Sequence, residues 1–246
     1  HQGLFPRWPL GSVETGCMIG LHGSAFVLEA CLKGYGEYAN ITAIQQVLLK
    51  QTTEPVKLLG RTDLDHYLSE GFVSNEAEPV ERDGKPASLT LTYAFDDYVL
   101  SKLSGFIGDQ VVEESAGARS VNYRKLWSAE RNLMCTRSGV TDELICPDDP
   151  TSREAWQQFT EGDTLQWTWF VPHDIEGLLE LFPSKVAFQA SLEEFFENHT
   201  AFHDKYDDVV RNPYYWAGNE IDLMSVFYFN LVDCTRTQYW SRQLLP

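Results

Sequence analysis

Apolar residues along this chain recur mostly at intervals of three and four, the spacing of helices that bury one face. Residues 18–33 are nearly all apolar or small and close at Gly34, a residue suited to the position just past a buried helix. Asn40 is placed to cap a second helix with Ile41, Ile44, Val47 and Leu48 on one face, and Thr62 a short one through Leu68. Residues 72–85 are polar, hold Pro79 and Gly84, and read as a loop. Ser88-Leu-Thr-Leu-Thr-Tyr-Ala-Phe95 alternates like a strand. Yet Leu89, Tyr93, Leu100, Leu103 and Ile107 continue at helical spacing to Gly108, so the longer window predicts a helix. A further helix is expected from Asp109 to Trp127, with Val112, Ala116, Tyr123 and Leu126 aligned.

Residues 132–155 break this rhythm, and Ser138-Gly139 and Pro147-Asp-Asp-Pro150 predict a long irregular loop with room for a short hairpin. Helices resume over 163–182, 184–197, 219–232 and 235–245, with Ser184 and Thr235 as caps. Helix after helix without a convincing sheet implies an all-α domain. Antiparallel helix pairs joined by loops are the ingredients of an α/α toroid.

Composition narrows the function. The 246 residues are 43% hydrophobic and 13% aromatic, enough for a sizeable core, and carry a formal net charge of −17. Without a basic patch, nucleic acid and anionic membrane are poor partners, whereas a cation or a neutral carbohydrate fits. No apolar run is long enough for a transmembrane helix. The 5 cysteines lack Cys-x-x-Cys spacing, which argues against zinc or thioredoxin chemistry. Cys135 and Cys146 flank a turn-rich loop and could pair in an oxidising compartment, while Cys17 and Cys31 read as small buried residues. The sequons Asn40-Ile-Thr42 and Asn198-His-Thr200 lean towards a secreted or lumenal protein.

The densest chemistry lies in Phe159-Thr-Glu-Gly-Asp-Thr-Leu-Gln-Trp-Thr-Trp-Phe-Val-Pro-His-Asp174. It sets one acid, Glu161, at a turn beside an aromatic run. Burial among such rings would keep a carboxyl group protonated, as a proton donor to a sugar requires. A capping acid before a buried helix is the plainer reading of the same residues. His199 and His203 have metal-like spacing but lack an adjoining Glu, so a solvated face is expected there.

This run resembles the signature of the calcium-dependent α-mannosidases of glycoside hydrolase family ninety-two, and five other blocks follow in that family's order. They are Leu4-Phe-Pro-Arg-Trp-Pro9; Cys17-Met-Ile-Gly20 with His22 and Glu29-Ala-Cys-Leu-Lys-Gly34; Tyr93-Ala-Phe-Asp-Asp97; Asn122-Tyr-Arg-Lys-Leu126; and Pro213-Tyr-Tyr-Trp-Ala-Gly-Asn-Glu220. The resemblance implies part of an (α/α)6 toroid preceded, in the family, by a β-sandwich. It also implies an inverting, exo-acting α-mannosidase acting on mannose-containing glycans. Glu161 matches the general acid, and Asn219 and Glu220 match the Ca²⁺ motif, whose hard oxygens suit that ion. Trp8, His22, Asp97, Gln166, His173 and Asp174 are candidates to line the sugar pocket. Of Asp96 and Asp97, which cannot share one helix face, Asp97 is expected inward. His22 also fits a hydrogen-bonded place in the core.

The sequence departs from the family at three places. Asp163 stands where the family has Asn, and could raise the pKa of Glu161 or join a cation site. Ile221, Leu223 and Met224 stand where a His pair is usual. The chain stops at Pro246, short of the acidic segment that supplies the family's general base, and lacks the N-terminal sandwich. A fragment of a larger hydrolase is therefore expected. The alternative is a non-catalytic carbohydrate-binding or scaffolding protein with the same fold.

Overall fold

The computed structural model describes residues 3–57, 59–81, 83–206 and 211–244. Its α-helices are α1 (His22–Leu32), α2 (Ile41–Thr53), α3 (Leu64–Glu70), α4 (Pro86–Ile107), α5 (Gln110–Ser120), α6 (Arg153–Gln157), α7 (Thr164–Trp167), α8 (Ile175–Leu181), α9 (Lys185–Tyr206) and α10 (Cys234–Gln243). Among the described residues, strands are confined to three antiparallel hairpins of 2-residue strands: β1 (Pro9–Leu10) with β2 (Val13–Glu14), β3 (Trp127–Ser128) with β4 (Leu133–Met134), and β5 (Thr136–Arg137) with β6 (Leu144–Ile145). The fold class is all-α. The chain divides into two compact units, His1–Leu126 with Thr136–Ile145, and Trp127–Cys135 with Cys146–Pro246.

In the first unit α4 is the central element, and the strand-like alternation at its start is helical. Pro86 occupies the first turn, where its missing N–H costs nothing, and Gly108 ends the helix with φ +76°. Asp109 then caps α5 by accepting from the Val112 amide, so two residues suffice to turn α4 into α5. Leu21, Leu28, Cys31, Leu48, Val99, Leu100, Leu103 and Ala116 form one apolar cluster against α4. Each fully buried leucine there contributes roughly 1.5–3 kcal/mol.

Several boundaries differ from the sequence reading. α1 begins at His22 rather than residue 18, because Met18 and Gly20 take positive φ. Asn40 caps α2 as expected. Thr62 does not cap α3: its hydroxyl accepts from the Val80 and Glu81 amides, and Asp63, in left-handed backbone, precedes the helix. α5 ends at Ser120, and Asn122–Leu126 continue as a 3-10 turn.

The second unit is built on α9, longer than expected, whose Phe188, Leu192, Phe195 and Phe196 are buried. Phe188 and Phe195 pack on Trp169, while Phe196 stacks on Trp240 and meets Phe229 and Tyr215. Ser184 accepts from the Ala187 amide at its start. The single helix expected over 163–182 is broken into α7 and α8, since Pro172 lacks an N–H and Asp174 starts a new cap. The expected helix over 219–232 is a run of turns followed by a 3-10 segment, Ser225–Leu231. α10 is capped by Asp233 instead of Thr235, and the expected end at Leu245 lies outside the described residues. Cys135 and Cys146 are disulfide-bonded; Cys31 is buried, whereas Cys17 is only half-buried.

Candidate active site

Glu161 sits in a tight turn of the second unit, between the one-helix elements α6 and α7. A β-bridge between Phe159 and Gly162 closes the turn, and Glu161 takes φ +48°, a left-handed conformation uncommon for a residue with a side chain. Two side chains grip successive carbonyls of the turn. The Trp167 indole N–H donates to the Thr160 carbonyl at 2.9 Å, and the Asn219 amide donates to the Glu161 carbonyl. Gly162 is required there, because a Cβ would lie 2.7 Å from Trp167 Nε1 and 3.1 Å from Gln166 Oε1.

This geometry corrects one expectation. The Glu161 side chain is exposed and is not packed among aromatic rings. The rings of Trp167 and Trp169 are buried in the core, whereas Glu161, in left-handed backbone, lies at the surface.

Asp163 is fully buried and serves as the N-cap of α7, accepting from the Leu165 amide at 3.0 Å and the Gln166 amide at 3.2 Å. Its other oxygen faces Arg211 at 3.6 Å, and that guanidinium lies over the Trp156 ring. Asp163 is thus a structural cap, and the family-like Asn would fill the same place. Burial raises its pKa to about 7. Gln166 is equally buried and donates to the Tyr214 carbonyl and to Asp222 Oδ2, both at 3.0 Å. Asp222 also accepts from the Trp216 amide at 2.9 Å, closing the loop that carries Asn219 and Glu220. Burial raises the Asp222 pKa well above the carboxylate range.

Asp222 was not anticipated. The only sequence signal is an acid two residues beyond Glu220 among apolar neighbours. Among the described residues, Gln166 Oε1, Asp222 Oδ1 and Asp163 Oδ2 are buried oxygens that accept no hydrogen bond. Such groups are costly unless a proton, water or cation meets them.

The remaining expected residues divide between the units. In the second, Asp174 caps α8 through the Gly177 amide, His173 precedes it half-buried, and Glu220 is exposed. In the first, Trp8 is 55% exposed beside β1, so it is no core tryptophan. His22 opens α1 and is exposed, against the expectation of a core histidine. His199 is half-buried, with Nδ1 3.0 Å from Asn212 Nδ2, and is not simply on a solvated face.

Asp97 is fully buried, and so is Asp96, although one of the two was expected to face outward. Asp97 accepts from Arg61, from Arg119 and from the Tyr67 hydroxyl at 2.9–3.2 Å. Arg61 in turn donates to the Tyr93 carbonyl and lies over the Tyr93 ring. Next to this, Glu81 holds Arg7 at 3.1 Å and accepts from the Tyr93 hydroxyl. Asp96 accepts from the Leu21 amide at 3.2 Å, and burial raises its pKa to about 7.

These buried acids set the pH dependence of stability. Asp96 and Asp163 hold their protons to about pH 7 when folded, whereas unfolded carboxyls release them near pH 4. Between these limits the native state binds more protons, so stability is greatest at the acid end and falls as pH rises. The thermal midpoint is expected to drop between pH 5.5 and pH 8, and Asp96→Asn to flatten that slope; an unchanged slope in the variant would assign the effect elsewhere.

Among the described residues no group of three or more His, Cys, Asp or Glu side chains is arranged to hold a metal. Any ion would have to use amide and carbonyl oxygens as well. A recess of about 210 Å³ in the second unit is lined by Asn132, Leu133, Trp169, Glu194, Phe195 and Tyr214 among others, but not by Glu161, Asn219 or Glu220.

The sequence profile of the glycosyl hydrolase family 92 catalytic domain matches residues 1–246. Among solved structures the chain is similar to the family GH92 α-mannosidase BT3965 of Bacteroides thetaiotaomicron, at 25% identity and a TM-score of 0.79 over 98% of this chain and 30% of that one. The complex of BT3965 with mannoimidazole matches at 24% identity and a TM-score of 0.80, over 98% and 31%. The family GH92 inverting mannosidase BT2199 of Bacteroides thetaiotaomicron VPI-5482 matches at 25% identity and 0.79, over 98% and 33%. No curated protein sequence matches. The chain spans about a third of the length of these solved proteins.

Proposed function

The chain belongs to glycosyl hydrolase family 92, and from that premise we propose that it is part of an enzyme hydrolysing terminal α-mannosides of glycans with inversion at the anomeric carbon. The observation that carries the reading is the braced turn presenting Glu161: an acid on the surface, held in an unfavourable backbone conformation by two buried donors. Backbone strain of this kind persists where the surroundings over-determine it, and it concentrates at reacting groups. BT3965 is an α-mannosidase and BT2199 an inverting mannosidase, which supports the same chemistry here.

Glu161 is the general acid. Its carboxyl proton passes to the glycosidic oxygen as the C1–O bond breaks, and the departing sugar leaves as an alcohol. A water molecule on the opposite face adds to C1 and gives up its proton to a second carboxylate. We place that base, together with the family's β-sandwich and remaining helices, outside these 246 residues. His173 and Asp174, on the segment following the acid, contact the sugar, and buried Gln166 ties that segment to the Asp222 loop.

Calcium fits the donor chemistry. Asn219 and exposed Glu220 offer hard oxygens on one loop, and Gln166 Oε1 and Asp222 Oδ1 are hard, buried and without a donor among the described residues. When bound, the ion would supply coordination to two sugar hydroxyls. The disulfide and the two sequons support a secreted or lumenal location.

The full-length protein is expected to release mannose from an α-mannoside and to leave β-mannosides and α-glucosides intact. Chelation should abolish turnover, with Ca²⁺ but not Mg²⁺ restoring it, because Mg²⁺ resists a high coordination number. Indifference to α-mannosides would refute the assignment, whereas turnover unaffected by chelation would remove calcium alone.

A further inference from the structure

The Asn219 side chain has two chemically different ends, and the structure commits one of them. Its Nδ2 donates to the Glu161 carbonyl, so the N–H end acts on the acid's own backbone. Asn219 is 5% exposed, and its main chain is fixed on both sides: its amide donates to the Trp216 carbonyl at 2.9 Å, and its carbonyl accepts from the Asp222 amide at 3.2 Å. Asp222 locks the same loop by accepting from Trp216 N and ties it to α7 by accepting from Gln166 Nε2. The donor is therefore delivered by a rigid loop.

The acceptor is the peptide of the left-handed residue in a turn whose ends are joined by the Phe159–Gly162 bridge. Glu161 has φ +48°, and a residue with a side chain relaxes from that region to negative φ unless something opposes it. Such a relaxation turns the carbonyl away and swings the carboxyl group to a new direction. Trp167 holds the preceding carbonyl, at Thr160, and the Phe159–Gly162 bridge joins the turn's ends, while Asn219 is the side chain that bonds the Glu161 carbonyl itself.

We propose that Asn219 is a positioning residue for Glu161: its amide N–H keeps the acid in left-handed backbone and so aims its carboxyl at the glycosidic oxygen. The kinetic part rests on the proposed glycosidase activity; the conformational part does not. A 1 Å displacement of a catalytic group lowers rate on the order of 10²-fold with little effect on binding.

Asn219→Asp separates positioning from metal ligation. The replacement keeps an oxygen ligand and adds charge, so a residue serving only as a Ca²⁺ ligand would retain calcium affinity and activity. It loses the N–H, and it sets a carboxylate against the Glu161 carbonyl. In the full-length protein, Asn219→Asp is expected to lower kcat about 10²-fold with KM within about threefold, while calorimetric Ca²⁺ affinity is kept. A crystal structure of the variant should show residue 161 at negative φ. Asn219→Ser, whose short side chain cannot reach the carbonyl, should do the same and serves if the Asp variant does not fold.

Retained left-handed backbone at Glu161 in both variants would overturn the proposal whatever the activity. Full kcat in Asn219→Asp beside an inactive Glu161→Gln would overturn it kinetically. Inactivity of the wild type towards α-mannosides would sink the proposed function, with the conformational readout still deciding the role of Asn219.

Discussion

Glu161→Gln in the full-length protein is expected to lower kcat on α-linked manno-oligosaccharides by about 10²–10⁴-fold. The alkoxide leaving group of a sugar is a poor one, and the amide has no proton to give as the bond breaks. The side chain is exposed and makes no packing contribution that the isosteric amide would forfeit, so stability should be unchanged. Mannose binding, measured by calorimetry, should also stay within a few-fold, because the loss arises in the transition state alone. A variant that loses affinity in step with rate would show Glu161 to be a binding group.

The second large effect is structural. Asp97→Ala removes the acceptor shared by Arg61, Arg119 and Tyr67 and leaves the Arg61 guanidinium, 6% exposed, without its main counter-charge. Breaking a buried pair by deleting one partner costs about 3–5 kcal/mol. That is a large share of the 5–15 kcal/mol by which a typical domain is stable, so poor expression or a collapse of the denaturant midpoint is expected. A midpoint within experimental error of wild type would mean that water or Asp96 takes over the role.

How much of this was legible in the sequence depended on the range of the interaction. The α4 helix was readable despite its strand-like opening, because Leu89, Tyr93, Leu100 and Leu103 keep helical spacing well past Phe95. Asn40, Asp109 and Ser184 act within three residues of themselves, and local cap chemistry places them correctly or nearly so. The break after α7 was signalled by Pro172 and missed, since the aromatic run around it looks continuous. Residues 219–232 failed for a different reason: side-chain bonds from Asp222 to the Trp216 amide and from Gln166 to Asp222 fold the start of that segment into turns. Periodicity does not register such bonds.

The site was legible in identity and not in geometry. The order of motifs singled out Glu161 and Asn219, which the fold brings into direct contact 58 positions apart. Aromatic neighbours in sequence suggested a buried acid, but Trp167 is buried while Glu161, in a left-handed turn, is exposed. The Arg61–Asp97–Arg119 network joins residues separated by 22 to 36 positions, and nothing local marks its members as partners.

The central claim is that the braced turn at Glu161 delivers a proton to the leaving oxygen. A series of aryl α-mannosides with phenols of graded acidity, assayed on the full-length wild type and on Glu161→Gln, tests it most directly. Wild-type kcat/KM should vary little across the series. The variant should match it on the most acidic phenol, which needs no proton, and fall progressively behind as the phenol weakens. Parallel lines, with the same deficit on every leaving group, would contradict the claim and leave Glu161 without the role of general acid.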